Sequence, residues 1–316
     1  MNYRIFGNSG LRVSELCLGT MTFGTEWGWG AEKAESQQIF DAYADAGGNF
    51  VDTANRYTEG TSERWVGEFI KSERHHFVLA TKYTLRDGMG DPNFAGNHRK
   101  NMMRSVEASL NRLGTDFIDL LWVHAWDGVT PVEEVLRGLD DLVRSGKVHY
   151  IGISDTPAWV VSQANAIAEL RGWTAFAGLQ IEYSLLQRTP ERELLPMANH
   201  FGLAITPWGA LGGGALTGKY LKGESGRVVE ASKRRSERAN RIAAVVVEEA
   251  KKLKVPPGQL AINWCRQRDL KLTSIPIIGA RTAAQLQDSL GCLAFASTGR
   301  SQRHRTGIST RFSCQR

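Results

Sequence analysis

Short apolar runs and amphipathic stretches alternate along almost the whole chain. The apolar runs are Leu16–Leu18, Phe50–Asp52, Val78–Thr81, Ile118–Val123, Tyr150–Ile153, Gly178–Ile181, Leu203–Thr206 and Ser274–Ile278. They are largely continuous in Leu, Ile and Val, as strands covered on both faces are. Between them the period becomes helical: Glu35–Ala46, Ser62–Ile70, Arg99–Leu113, Pro131–Ser145, Ala158–Arg171, Glu191–His200, Arg238–Leu253 and Thr282–Leu290. Pro131 stands at a helix's first position and Gly146 follows its end, the expected start and stop residues. Pro257–Gln267 reads as an extra helix packed outside the rest.

Eight strands alternating with helices predict an α/β fold closed into a (β/α)8 TIM barrel, as a single domain over residues 1–296. Arg4–Val13, turning at Asn8-Ser9-Gly10, reads as a hairpin that caps one barrel end. The polar stretch Gly223–Arg238 interrupts the alternation and reads as a long loop on the opposite, catalytic rim.

Composition changes little in this reading. The chain has 316 residues, 42% hydrophobic and 23% charged, ordinary for a soluble globular protein. No apolar run approaches the ~20 residues that span a bilayer, and no secretory signal opens the chain. Cys17, Cys265, Cys292 and Cys314 are scattered without a CxxC pair, so neither a zinc site nor structural disulfides are expected, and a cytoplasmic location fits. Of the net charge of +6, five come from the arginines after Asp288, which leaves +1 for the rest. No basic face for nucleic acid and no membrane partner are expected. Residues 297–316 are rich in Ser, Thr, Gly and Arg, show no apolar period, and read as an atypical, disordered basic tail.

The chemistry gathers at strand ends. Asp52 ends one apolar run and Tyr57 follows in the next loop; Lys82 and His124 end the next two runs. In a closed parallel barrel these ends share one rim. A carbonyl being reduced becomes an alkoxide and needs a proton. A phenol can give it, with a reference pKa near 10 that a neighbouring ammonium lowers. A carboxylate keeps the ammonium charged, and an imidazole orients the carbonyl. Singly, each residue has a plainer role: a cap, a solvated rim charge, a core histidine. Three successive strands delivering one group each to the same rim favour a site.

The string Asp52-Thr53-Ala54-Asn55-Arg56-Tyr57, followed by Gly60 and Ser62-Glu63, resembles the aldo-keto reductase signature. So do Ala80-Thr81-Lys82, Ser109–Leu113, Asp116–Asp119 leading to His124, Ile151–Ser154, Gln180–Ser184, Gly218–Tyr220 and Ile278–Arg281. The internal pattern around Asn97–Lys100 and Trp126-Asp127 is similar to the aryl-alcohol dehydrogenase-like branch. The resemblance implies an NADPH-dependent reductase of small carbonyl substrates, with Tyr57 as proton donor, Lys82 and Asp52 as its tuners and His124 as carbonyl orienter.

It also implies a cofactor site. Gly19, Thr20, Met21 and Asp52 would lie beside the nicotinamide ribose. Ser154, Asp155 and Gln180 would meet the carboxamide, and Trp208 would stack on the ring. Gly209, Ala210, Leu211 and Gly213 read as a backbone cradle for pyrophosphate, with Lys219 as a cation. Gly279, Arg281, Gln285, Asp288 and Ser289 match the segment for adenine and its 2′-phosphate, Arg281 favouring NADPH over NADH. Asp155 and Ser289 each stand where the family pattern has Asn. Trp27, Trp29 and Trp126 are expected at the substrate pocket, which suits aromatic or apolar aldehydes and ketones.

Gly213-x-x-x-x-Gly218-Lys219 nearly matches a P-loop, but Tyr220 replaces the Ser or Thr that would hold magnesium. Two other functions are weighed: a cofactor-sensing regulatory subunit with slow turnover, and a metal-dependent hydrolase using Asp52 and His124. The abrupt end of the similarity after Phe295 is read as a shifted frame or alternative end. The oligomeric state is not legible.

Overall fold

A computed structural model describes residues 1–295, apart from 89, 225, 227, 229–231 and 268–270. The expectations for 297–316 lie outside the described residues. A hairpin of β1 (Tyr3–Ile5) and β2 (Arg12–Ser14) comes first and pairs antiparallel. Then eight parallel strands follow: β3 (Cys17–Gly19), β4 (Phe50–Asp52), β5 (Val78–Tyr83), β6 (Ile118–Val123), β7 (Val148–Ser154), β8 (Gly178–Glu182), β9 (Ala204–Trp208) and β10 (Ile277–Ile278). Each pairs with its sequence neighbour, and β10 returns to β3. The remaining seam closes at a bridge between Ile205 and Ser274, where Ile205 N–H donates to the Thr273 carbonyl at 2.8 Å. The sheet is therefore the expected (β/α)8 barrel.

The strand pleat sorts side chains with a period of two. Phe50, Val78, Ala80, Leu120, Trp122 and Ala204 share the barrel interior. Their neighbours Val51, Leu79, Leu121, Val123, Ile205 and others face the helices. The interior floor is aromatic. Phe6, from the hairpin turn, meets Phe50 and Trp122 with ring centroids 5.8 and 6.2 Å apart. A Cβ at Gly152 would come within 2.3 Å of the Trp122 ring, so this strand makes room for the indole only as glycine. The hairpin thus plugs the N-terminal end, and the same inward series continues upward to Asp52, Lys82, His124, Ser154, Gln180 and Trp208.

The helices are α1 (Lys33–Asp45), α2 (Thr61–Ile70), α3 (Arg99–Leu113), α4 (Val132–Arg144), α5 (Ala158–Arg171), α6 (Leu194–His200), α7 (Glu237–Leu253), α8 (Pro257–Arg266) and α9 (Ala283–Leu290). Pro131 is the N-cap of α4, in extended backbone, rather than its first helical residue. The expected extra helix is corrected. Ile262 and Cys265 of α8 are fully buried with Leu18, Val51 and Ile278, so α8 covers the barrel. The outer helix is α7, whose Ile242 and Val246 pack instead on Ala261 and Leu216 in a separate small cluster. The apolar residues 261, 262 and 265 of α8 fall on one face and decide the matter. No helix among the described residues is long and apolar enough to cross a membrane.

Candidate active site

The inward series ends at the C-terminal rim, where Asp52, Lys82 and His124 meet. Lys82 is completely buried. Its ammonium donates to Asp52 Oδ2 at 2.5 Å, to the Thr53 carbonyl at 2.8 Å and to the Tyr57 hydroxyl at 3.0 Å, so all three N–H bonds have partners. The other Asp52 oxygen, Oδ1, accepts from Gln180 Nε2 at 3.0 Å. His124 stands edge-on to Tyr57, with ring centroids 6.0 Å apart.

Tyr57 comes from the turn between β4 and α2, and that turn is strained. Thr58 and Glu59 take left-handed φ values of 46° and 53°. A β-branched residue there costs about 1–3 kcal/mol. The Thr58 hydroxyl holds the turn by donating to the Phe23 carbonyl at 2.6 Å and accepting from Ser62 N–H at 3.2 Å. This turn carries the phenol that meets the Lys82 ammonium.

The electrostatics differ in one respect from expectation. Burial pushes the Tyr57 phenol above its usual value; Lys82 pulls it down but does not fully offset burial. Burial alone would lower Lys82, but Asp52 and Tyr57 outweigh it and raise the ammonium above its usual range. Burial, with help from Lys82, holds His124 well below the usual histidine range. The imidazole is therefore neutral at pH 7, and its Nδ1 is buried with no partner among the described residues. The site holds a protonated phenol on a permanent cation, beside a neutral ring.

A groove of about 690 Å³ runs from this cluster across the rim. Gly19, Met21, Trp27, Tyr57 and His124 line it, and so do Gly279, Arg281, Gln285, Asp288 and Ser289 from the segment after β10, which runs beside Gly19. Ser154, Asp155, Gln180 and Trp208 add to the lining from the ends of β7, β8 and β9, followed along the chain by Gly209, Ala210, Leu211, Gly213 and Lys219. Gly213 and Gly214 both have positive φ, 67° and 91°; a Cβ on the second would lie 2.8 Å from Lys219 Cε. Both glycines line the groove, which fits a pyrophosphate cradle. Gln285 Oε1 accepts from the Arg281 N–H at 3.0 Å, and the exposed Arg281 guanidinium has no ion pair with a described residue.

Three expected residues are placed elsewhere. Thr20 is fully buried, with its hydroxyl bonded to the Asp52 carbonyl at 3.0 Å and to Ser62 at 2.8 Å, so it supports the rim from behind. Trp126 packs against the outer apolar layer, and Trp29 lies tilted against Trp27 with ring centroids 5.7 Å apart. Ten lining residues were not named as candidates, among them Arg56, Leu85, Gly214, Thr217 and Arg234. Arg56 and Gly214 sat inside quoted motifs, whereas Leu85 and Arg234 carry no local signal. Arg234 arrives on the polar rim loop and pairs with Glu182 at 2.5 Å.

Asp52 is spent on Lys82 and Gln180, so its carboxylate is not a free ligand for the metal-dependent hydrolase considered above. The description of the aldo/keto reductase family matches residues 15–301. A norsolorinic acid reductase from Aspergillus flavus is 39% identical over 315 aligned residues, covering 92% of this chain and 76% of the relative. A putative aryl-alcohol dehydrogenase from Saccharomyces cerevisiae is 36% identical over 308, covering 92% and 81%. An aldo-keto reductase from Aspergillus calidoustus is 36% identical over 315, covering 94% and 79%. A parallel barrel with this rim is that of an oxidoreductase acting on carbonyl compounds. The chain belongs to the aldo/keto reductase family.

Proposed function

We propose that the protein reduces aromatic or apolar aldehydes and ketones to alcohols with NADPH. The observation that carries this reading is the Tyr57 hydroxyl, 3.0 Å from a fully buried Lys82, on the lining of a groove of about 690 Å³. A nicotinamide bound there would supply the hydride. Tyr57 gives its proton to the carbonyl oxygen as charge builds on it. Lys82 stabilises the tyrosinate left behind, and Asp52 keeps Lys82 charged and fixed. The neutral His124 is free to donate a hydrogen bond to the same oxygen, which favours polarisation of the carbonyl.

Ser154, Asp155 and Gln180 would hold the carboxamide, Trp208 the ring face and the glycine cradle with Lys219 the pyrophosphate. Arg281 is a cation available for a 2′-phosphate, which supports NADPH over NADH. Trp27 and Leu85 give the carbonyl end an apolar wall. The similarity to an aryl-alcohol dehydrogenase supports an aromatic carbonyl.

The test is NADPH oxidation with a panel of aromatic and aliphatic aldehydes, run beside NADPH binding. Turnover with aromatic aldehydes is expected. Tight binding without turnover on any of them would contradict the reading and identify a cofactor sensor.

A further inference from the structure

The loops that follow β5 and β6 are tied together by one fully buried side chain, Asn97. Its Nδ2 donates to the Thr84 hydroxyl at 3.0 Å and to the Ala125 carbonyl at 2.9 Å. Its Oδ1 accepts the Asp127 N–H at 2.7 Å. A peptide carbonyl only accepts and a peptide N–H only donates, so the amide has a single satisfied orientation. Backbone donors of the same segment complete the brace. The Asn97 N–H donates to Asp127 Oδ2 at 2.7 Å, and the Gly96 N–H to the Thr84 carbonyl at 2.8 Å.

Two of the residues so held stand beside residues that line the groove. Thr84 precedes Leu85, and Ala125 follows His124. Thr84 has a φ of 107°, a region that favours glycine and is costly for a β-branched residue. The bonds from Gly96 and Asn97 hold it there. The His124 ring has no comparable tether at Nδ1, which is buried with no partner among the described residues. Its placement therefore depends on the edge of Tyr57 and on its own backbone. That backbone is held on one side by the His124 N–H, which donates to the Tyr83 carbonyl at 3.1 Å, and on the other by Asn97 at Ala125.

We propose that Asn97 is a positioning residue for carbonyl reduction: its amide fixes the backbone that carries His124, and so fixes the imidazole at the carbonyl oxygen. This rests on the reduction reading above. Asn97 is not on the groove lining, so it acts only through the residues it holds. Loss of the amide leaves the Thr84 hydroxyl and the Ala125 carbonyl without this donor in a buried place, and both loops relax. The donor geometry at the carbonyl oxygen then degrades, while the residues that would hold the dinucleotide stay where they are.

Single-turnover reduction of 4-nitrobenzaldehyde by NADPH, with NADPH affinity measured beside it, tests this in a double-mutant cycle. Asn97→Ala is expected to slow the chemical step about tenfold or more and to leave NADPH affinity within about twofold of wild type. In a His124→Ala background the same substitution should cost less than about twofold, since no ring is left to place. Thr84→Val keeps the shape and removes one acceptor of the amide, and it repeats the test should Asn97→Ala not fold. Its smaller loss, about threefold, should also vanish in the His124→Ala background. Unchanged rates, equal losses with and without His124, or a parallel loss of NADPH affinity would overturn the positioning role and leave the reduction reading standing. No turnover by wild type with this or any other aldehyde would overturn both.

Discussion

Replacing Lys82 by methionine removes one charge from a place that water does not reach. The Lys82 side chain is 0% exposed and that of Asp52 3%. Three acceptors lose their donor at once: Asp52 Oδ2, the Thr53 carbonyl and the Tyr57 oxygen. Asp52 is left with the single N–H of Gln180. Breaking a buried pair from one side costs about 3–5 kcal/mol, because the remaining charge is uncompensated. At about 2 °C per kcal/mol for a chain of this size, melting should fall by about 6–10 °C. Removing both charges should cost less than removing one. Asp52→Asn combined with Lys82→Met should recover at least ~2 kcal/mol of the single variant's loss. Urea denaturation followed by tryptophan fluorescence reads all four corners of the cycle. A Lys82→Met variant within about 1 kcal/mol of wild type, or a double variant no better than the single, would refute a tightly paired, dry Lys82.

Three further outcomes follow from particular contacts. Burial keeps His124 below its ordinary value of 6.5, so the unfolded chain binds the proton more readily than the folded one. Its stability contribution is present above pH 6.5 and is lost as pH falls below it. Melting temperature from pH 7 down to pH 5 should drop more steeply for wild type than for His124→Gln, and parallel curves would count against a buried neutral ring. A Cβ at Gly67 would sit 2.2 Å from the Leu113 carbonyl oxygen, where α2 crosses the end of α3. Gly67→Ala should therefore destabilise by about 1–3 kcal/mol despite alanine's better helix propensity, and an unchanged urea midpoint would show that the helices can part. Arg281→Ala should weaken NADPH binding by about tenfold or more and leave NADH nearly unaffected; equal losses would remove the guanidinium from the phosphate.

The barrel was legible because its strands are buried on both faces and therefore read as plain apolar runs. Errors arose where local chemistry intervened. Ser274–Ile278 was expected as one strand, yet only Ile277–Ile278 ladders with β3, and Ser274 forms an isolated bridge on the other side. Pro276 lies between them and has no N–H to offer a ladder. β7 begins at Val148, earlier than its apolar run, because the exposed His149 separates buried Val148 from the rest of the run. The order of α7 and α8 was misjudged since the longer, more amphipathic helix carries the stronger pattern but packs outside.

At the rim, residues fixed by strand ends were found and residues delivered by loops were not. Asp52, Lys82 and His124 follow from their strand ends, and Gln180 came through the family resemblance. Arg234 and Leu85 reach the groove through loops whose paths no periodicity encodes. The direction of the Tyr57 shift was also out of reach. It depends on how far burial of the phenol outweighs a cation 3.0 Å away, and only coordinates give both quantities.

The central claim is that Tyr57 protonates the carbonyl oxygen. Single-turnover reduction of an aromatic aldehyde by NADPH, comparing wild type with Tyr57→Phe, measures that step directly. The variant should bind NADPH as wild type does and lose about 10²–10⁴-fold in the rate of the chemical step. A rate within a few-fold of wild type would contradict the account.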